Sequence, residues 1–380
     1  MRRVRVAVLI VLNVALLLGA SRTKLWDLDL AKLTKQDASA TELVWGLQFS
    51  PDESKLAIGF GSLWDHDSRP RRVVIVDVTH PKSVLREFQF DSKFPILSNN
   101  SIRWSPSGQT LIVDRHIMFR LGEEQLCSFP EDSRIAGFLS DDRMVISQGI
   151  GSWPDVNDAI QILRSDCSLA ESWQTANRTR GLLADPYENL LAISQFEGNV
   201  LSREQRIDLV DAQSHETPTV TLKGLATYAG GFVFADRGKV VCSGFQTTDR
   251  REPDLACWNT KTGSKIAENN RVSLDNIAID GSGGDLIAFT DYKFIYRDGK
   301  IWQFLDLRGR FTSAKRHLIW SYRNAQEIAS WAAPYQIELC GQDERRASKI
   351  NSLFALSLSS AGKYLAEAGR GSVSLYSVRP

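Results

Sequence analysis

The chain has 380 residues, 43% of them hydrophobic and 24% charged, with 46 basic against 45 acidic side chains for a formal net charge of +1. That make-up excludes a disordered chain and suits one large domain or two to three ordinary ones. The balanced charge gives no basic stripe of the kind that nucleic-acid binding needs, so no nucleic-acid partner is expected.

At the N-terminus, Arg2, Arg3 and Arg5 precede Val6 to Ala20, a run in which only Asn13 is polar. As a helix this run spans about 22 Å, short of the roughly 30 Å of a bilayer core. It reads as the apolar region of a signal peptide, with Leu18-Gly19-Ala20 before Ser21 as the cleavage site. Residues 1–20 are therefore expected to be a signal peptide or, uncleaved, an N-terminal membrane anchor, and 21–380 the body. Either case places the body outside the cytoplasm, periplasmic or secreted. No other apolar run approaches a membrane span, so a membrane is expected to be touched only through this segment.

Beyond it one pattern recurs: an apolar strand, a tight turn of Ser, Asp, Gly or Pro, and a second apolar strand. The copies turn at Ser50, Ser105, Ser140, Ala184, Ala235, Asp280 and Ser359, with gaps of 55, 35, 44, 51, 45 and 79 residues. Most gaps lie near the roughly 40–50 residues of a four-stranded propeller blade. A third strand follows each pair, such as Arg72-Val-Val-Ile-Val-Asp-Val or Leu255-Ala-Cys-Trp-Asn, and usually a more polar outer strand. The expectation is an all-β fold, a seven-bladed β-propeller. The last copy ends on its third strand, and Lys24-Leu-Trp-Asp-Leu-Asp-Leu is the segment that would supply its missing outer strand and leave no open edge. The 79-residue gap implies an insertion near 291–316 between the second and third strands of the sixth blade; an eighth, degenerate blade is the alternative.

The chain resembles the WD40-like and YVTN-type propeller repeat families over about residues 24–380. Cys257-Trp258-Asn259-Thr260-Lys261-Thr262-Gly263 is similar to the third strand and following turn of a WD40 repeat, and Trp320-Ser321 is a poorer match. The Gly-His pair of that family is missing from every copy, and Trp26-Asp27 and Trp64-Asp65 do not end a third strand. The resemblance implies a protein-interaction platform, although related propellers also host hydrolases and redox enzymes.

No motif for chemistry stands out. The five histidines form no metal-binding pair, no G-x-S-x-G occurs, and Gly281-Ser282-Gly283-Gly284 joins two strands rather than opening a helix. No catalytic residue, metal or cofactor is expected. The links between second and third strands are long, and they carry Trp64, Asp65, His66, Arg69, Trp153, Asp155, Arg203, Arg250, Arg251, Asp254, Tyr296 and Trp302. These loops emerge on one face, and aromatics and arginines are what binding hot spots favour. A protein or glycan partner on that face is the first expectation. A lactonase-like hydrolase with its site at the central channel, and a structural envelope component tethered by an uncleaved N-terminus, are the alternatives. Cys242 and Cys257 lie on adjacent strands and face each other if the hairpin folds symmetrically, within disulfide reach. With Cys127, Cys167 and Cys340 the cysteine count is odd, leaving at least one free or paired between chains.

Overall fold

Each tight turn carries its own hydrogen-bonding partners. The buried hydroxyls of Ser50, Ser105 and Ser359 accept the N–H of Lys55, Thr110 and Tyr364 at 3.0, 3.1 and 3.0 Å, closing the turn five residues on. The turns place residues in a left-handed backbone, among them Glu53, Gly108, Asp142, Asn189 and Gly284 with φ between 55° and 67°, and in one turn a run of three, Asp236, Arg237 and Gly238, with φ of 46°, 53° and 80°. Glycine adopts this conformation freely and Asn or Asp at modest cost.

In the computed structural model, strand β1 (Arg22–Asp29) leads into a one-turn helix, α1 (Leu30–Thr34), whose first turn is capped by Asp29. Sheet 1 comprises β2 (Leu43–Phe49), β3 (Lys55–Gly61), β4 (Arg71–Asp77) and β5 (Val84–Phe90); sheet 2 comprises β6 (Ile102–Trp104), β7 (Thr110–Val113), β8 (Ile117–Arg120) and β9 (Gln125–Ser128). Sheet 3 holds β10 (Ser133–Phe138), β11 (Met144–Ile150), β12 (Asn157–Leu163) and β13 (Leu169–Gln174); sheet 4 holds β14 (Thr179–Ala184), β15 (Leu190–Phe196), β16 (Gln205–Asp211) and β17 (Val220–Leu225). Sheet 5 is β18 (Tyr228–Ala235), β19 (Val240–Gln246), β20 (Leu255–Asn259) and β21 (Lys265–Asn269). Sheet 6 is β22 (Ile277–Gly283) and β23 (Leu286–Asp291), then β26 (Ala314–Ser321) and β27 (Gln326–Pro334), with a separate hairpin of β24 (Ile295–Arg297) and β25 (Lys300–Gln303) between them in the chain. The last strands, β28 (Leu356–Leu358), β29 (Tyr364–Gly369) and β30 (Ser372–Val378), form sheet 7 together with β1, in the order β1-β30-β29-β28.

The structure describes residues 22–34, 43–61, 71–90, 102–113, 117–122, 125–129, 133–150, 157–175, 179–196, 205–214, 218–225, 228–246, 255–269, 277–284, 286–291, 295–297, 300–303, 314–321, 323, 326–334, 356–369 and 371–378. Among them, six four-stranded sheets are built from strands in chain order, and a seventh is composite, closed by β1. In the long gap the described residues form a two-stranded hairpin and no eighth four-stranded sheet. The expected signal or anchor, residues 1–20, lies outside the described residues; among those described, no helix is long and apolar enough to cross a membrane.

The sheets stand around an axis. Each inner strand lies against the inner strand of the next sheet, β2 with β6, β6 with β10, and onward through β14, β18, β22 and β28 back to β2. The core therefore sits between sheets. Along β4, Val74 and Val76 pack toward sheet 7, while Val73 and Ile75 pack toward sheet 2. A strand buried on both faces reads as a continuous apolar run, because successive side chains point to opposite faces. Outer strands differ: β5 buries only Phe88 and Phe90 and exposes Val84 and Leu85. Between sheets 3 and 4, the buried Asp158 accepts on its Oδ2 both the Thr179 N–H, at 2.7 Å, and the Thr179 hydroxyl.

Two disulfides are present. Cys242 and Cys257 are register partners on β19 and β20 and are joined. Cys127 on β9 is joined to Cys167 in the turn between β12 and β13, which ties the outer part of sheet 2 to sheet 3. Cys340 lies outside the described residues.

Candidate functional site

The turns between first and second strands gather at one end of the axis, and neighbouring turns are hydrogen-bonded together. Ser107 donates its N–H to Asp142 Oδ1 at 3.0 Å and its hydroxyl to Oδ2. The Ser140 N–H donates to Asn189 Oδ1 at 2.9 Å, and the Ala361 N–H to Glu53 Oε1 at 2.6 Å. In all three the acceptor side chain belongs to the left-handed residue of the following turn. Farther round, the Asp236 N–H donates to the Gly284 carbonyl and the Gly284 N–H to that of Ser360, at 2.9 and 2.8 Å.

These turns rim a cavity of about 240 Å³ whose walls come from the inner strands of six sheets and from Gly284 of the remaining one. Leu47, Leu183, Val233 and Leu358 give it apolar walls, and Gln48 and Arg103 are polar wall residues. At the rim Tyr187 and Arg237 are exposed. Tyr187 is within electrostatic reach of Arg237 from sheet 5 and of Glu53 from sheet 1.

Asp185 departs from the pattern of the turns. The dipeptides Ser50-Pro51 and Ser105-Pro106 correspond to Asp185-Pro186. Where the other two place a buried hydroxyl, sheet 4 places a carboxylate with no solvent exposure. Its Oδ2 accepts the N–H groups of Tyr187 and Glu188, but its Oδ1 is buried without a hydrogen-bond partner. Gly238 of the neighbouring turn presses on it: a Cβ there would stand 2.2 Å from Oδ2, so only glycine fits. Burial pushes the Asp185 carboxyl up to about 6, against the lowering effect of the two N–H donors. Asp52, in the sheet 1 turn, goes the other way. Burial raises it too, but the Ser50 and Ser54 hydroxyls, the Ser54 N–H and Lys55 outweigh that and hold it at about 2.

Below its ordinary value of 3.8, Asp185 is protonated in both folded and unfolded chains, and its folded environment carries no charge penalty. As pH rises from there through about 6, the unfolded chain ionises first and the fold loses stability, by about 3 kcal/mol at most. Asp185→Ser, which copies the turns of sheets 1 and 2, is expected to keep the fold and to be more stable than wild type above this window, by about 1–3 kcal/mol. Urea unfolding of both proteins across pH 4 to 8 measures the difference; curves that stay parallel would refute the assignment.

Among the predicted binding residues, Trp64, Asp65, His66, Arg69, Trp153, Asp155, Arg203, Arg250, Arg251 and Asp254 lie outside the described residues. Tyr296 falls in β24 and Trp302 in β25, paired as a hairpin. Second strands run from the tight turns to the opposite face of the ring, and the cavity opens on the turn face. Sequence reasoning missed Asp185. The available signal was its alignment with two serines, a charge where a buried hydroxyl stands elsewhere. Among the described residues no three His, Cys, Asp or Glu side chains are grouped to hold a metal ion.

No family model matches the sequence, and neither does any curated protein. Solved structures do. The β-propeller domain of Cps50 (Swd1) from Myceliophteria thermophila superposes with a TM-score of 0.54 at 12% identity, covering 94% of this chain and 100% of that one. A chain of the mitotic checkpoint complex superposes with a TM-score of 0.56 at 16% identity, covering 95% of this chain and 93% of that one. The fold is a WD40-like β-propeller. At these identities the likeness concerns the fold alone. Within this WD40-like propeller, Asn259 ends a third strand and its Oδ1 accepts the N–H groups of Lys261 and Thr262 at 2.9 and 3.0 Å, while the Thr260 hydroxyl donates to the Gly238 carbonyl at 2.9 Å. Asp77 and Asp211 do the same at the ends of their own third strands, bonding the N–H of Thr79 and of Gln213. A short acceptor side chain thus serves where the repeat turns outward.

Proposed function

We propose that the chain is an exported, non-enzymatic, seven-bladed propeller that binds a protein partner. The observation that carries the reading is the circle of tight turns around an axial cavity, hydrogen-bonded to one another at five of the seven junctions among the described residues. It is a rigid rim with Tyr187 and Arg237 exposed at its mouth, the residue types that binding hot spots favour. The WD40-like architecture supports an interaction platform, since propellers of this class present rigid faces on which loops and turns can vary. Two disulfides support an oxidising compartment and so export. The long loops with Trp64, Trp153 and Arg251 make the opposite face the second candidate surface.

Affinity capture from extracts of the native host tests this with three baits: wild type, a Tyr187→Ala/Arg237→Glu variant, and a Trp64→Ala/Trp153→Ala/Arg251→Ala variant. The expected result is a protein partner that wild type retains and the first variant loses. Loss only with the second variant moves the interface to the loop face. Loss after deglycosylation of the extract makes the ligand a glycan. Equal capture by all three baits refutes both surfaces.

A further inference from the structure

We propose that the axial cavity is a binding site for an organic cation, an ammonium or guanidinium head on a short apolar stem, held by Asp185 and Gln48. Among the described residues that line the cavity, two buried acceptor oxygens, Asp185 Oδ1 and Gln48 Oε1, have no hydrogen-bond donor. Both residues line the same cavity, one from sheet 4 and the other from sheet 1, on opposite walls of the ring. A buried polar atom is normally satisfied, and a buried charge normally paired. Among the described residues, Asp185 finds neither a complete set of donors nor a cation. No ion pair is formed with it among the described residues, and the neighbouring charge it feels is another carboxylate, Glu188.

The chemistry of the ligand follows from what is missing. Two acceptors, one of them anionic, call for a group with several N–H donors and a positive charge. An ammonium offers three donors and a guanidinium five. An anion is disfavoured: Arg103 and Arg237 also line the cavity, but an anion would leave both orphan oxygens unpaired and add repulsion from the carboxylate. The volume of about 240 Å³ falls below the roughly 300–1,000 Å³ of sites that enclose whole drug-sized molecules. It suits one head-and-stem group, with Leu47, Leu183, Val233 and Leu358 along the stem. Neither oxygen shows surface to solvent while the chain is alone, so the contact requires a local adjustment of the wall.

The cation has two sources, a lysine or arginine side chain of a partner or a free amine. The site rests on the proposed partner-binding role only for the first. Calorimetric titration of the full, disulfide-intact chain uses propylguanidine, propylamine and the neutral 1-butanol. A flexible glycine-serine peptide carrying a single central arginine is the second arm. Saturable binding of the two cations but not of butanol is expected, weakened by at least about tenfold in Asp185→Asn, since that change removes a charge-assisted hydrogen bond. Gln48→Leu acts on the opposite wall and should weaken binding as well; it decides the matter if Asp185→Asn fails to fold. Peptide binding that depends on Asp185 supports both the site and the partner reading. Small cations binding where the peptide does not keeps the site and removes partner docking at this mouth. No binding by wild type, equal binding by both variants, or a crystal structure with only an ordered water on the two oxygens overturns the proposal.

Discussion

A chain lacking residues 22–34 should lose the cooperative unfolding of the whole ring, well beyond the local loss of one strand. The β1 strand is the outer strand of sheet 7, paired from Arg22↔Val378 to Asp29↔Ser372. It also reaches beyond that sheet. The Trp26 Nε1–H donates to the Val78 carbonyl of sheet 1 at 2.9 Å, while the Leu30 N–H secures the start of α1 to the Gly371 carbonyl of sheet 7 itself at 3.0 Å. Leu28 and Leu30 are buried in the cluster shared by sheets 7 and 1, with Val44, Val74, Ala368 and Val373. Truncating a buried leucine costs about 2–5 kcal/mol, so losing both already rivals the roughly 5–15 kcal/mol total stability of an ordinary domain. The exposed edge of β30 would add a site for aggregation. Guanidinium unfolding followed by tryptophan fluorescence measures this. The milder Leu28→Ala/Leu30→Ala variant should lower stability by about 4–8 kcal/mol. A truncated chain that unfolds at the wild-type midpoint would refute the closure.

The second large effect is expected at the Cys127–Cys167 disulfide. It closes a chain segment of 40 residues, against 15 for Cys242–Cys257. Loop entropy alone gives about 4 kcal/mol for the first and about 3 kcal/mol for the second. Position widens the gap. Cys242 and Cys257 join strands already held by a full hydrogen-bond ladder, whereas Cys127 and Cys167 join two sheets that share no ladder and meet through side-chain packing and a few hydrogen bonds, from Ser107 to Asp142 and from Arg120 to the Ser165 carbonyl, and the two cysteines lie against the cluster of Ile112, Met118, Phe138 and Met144. Replacing Cys127 and Cys167 by serine should therefore lower the guanidinium midpoint more than replacing Cys242 and Cys257. A larger loss from the second pair would show that the ladder, rather than the junction between sheets, is the weak element.

Strands and turns were legible in the sequence because their causes are local. The Ser-Pro turns close on N–H groups five residues away, and apolar runs mark strands buried on both faces. The missing outer strand of the last copy pointed to Lys24–Leu30, and β1 occupies that place. A pairing within one hairpin, such as Cys242 with Cys257, could be reached by counting residues back from the turn. The Cys127–Cys167 link could not, since its partners sit on different sheets and meet only when those sheets dock.

The sequence by itself determined the repeated unit: how long each strand runs, where it turns and which residues point into the spaces between sheets. Only the tertiary structure decided what the turns do together. Whether a buried carboxylate finds a partner depends on atoms brought in by the next sheet, and at Asp185 that neighbour is Gly238, which has no side chain to offer. The cavity has the same origin, because its walls come from inner strands far apart in the chain that meet only when the ring closes.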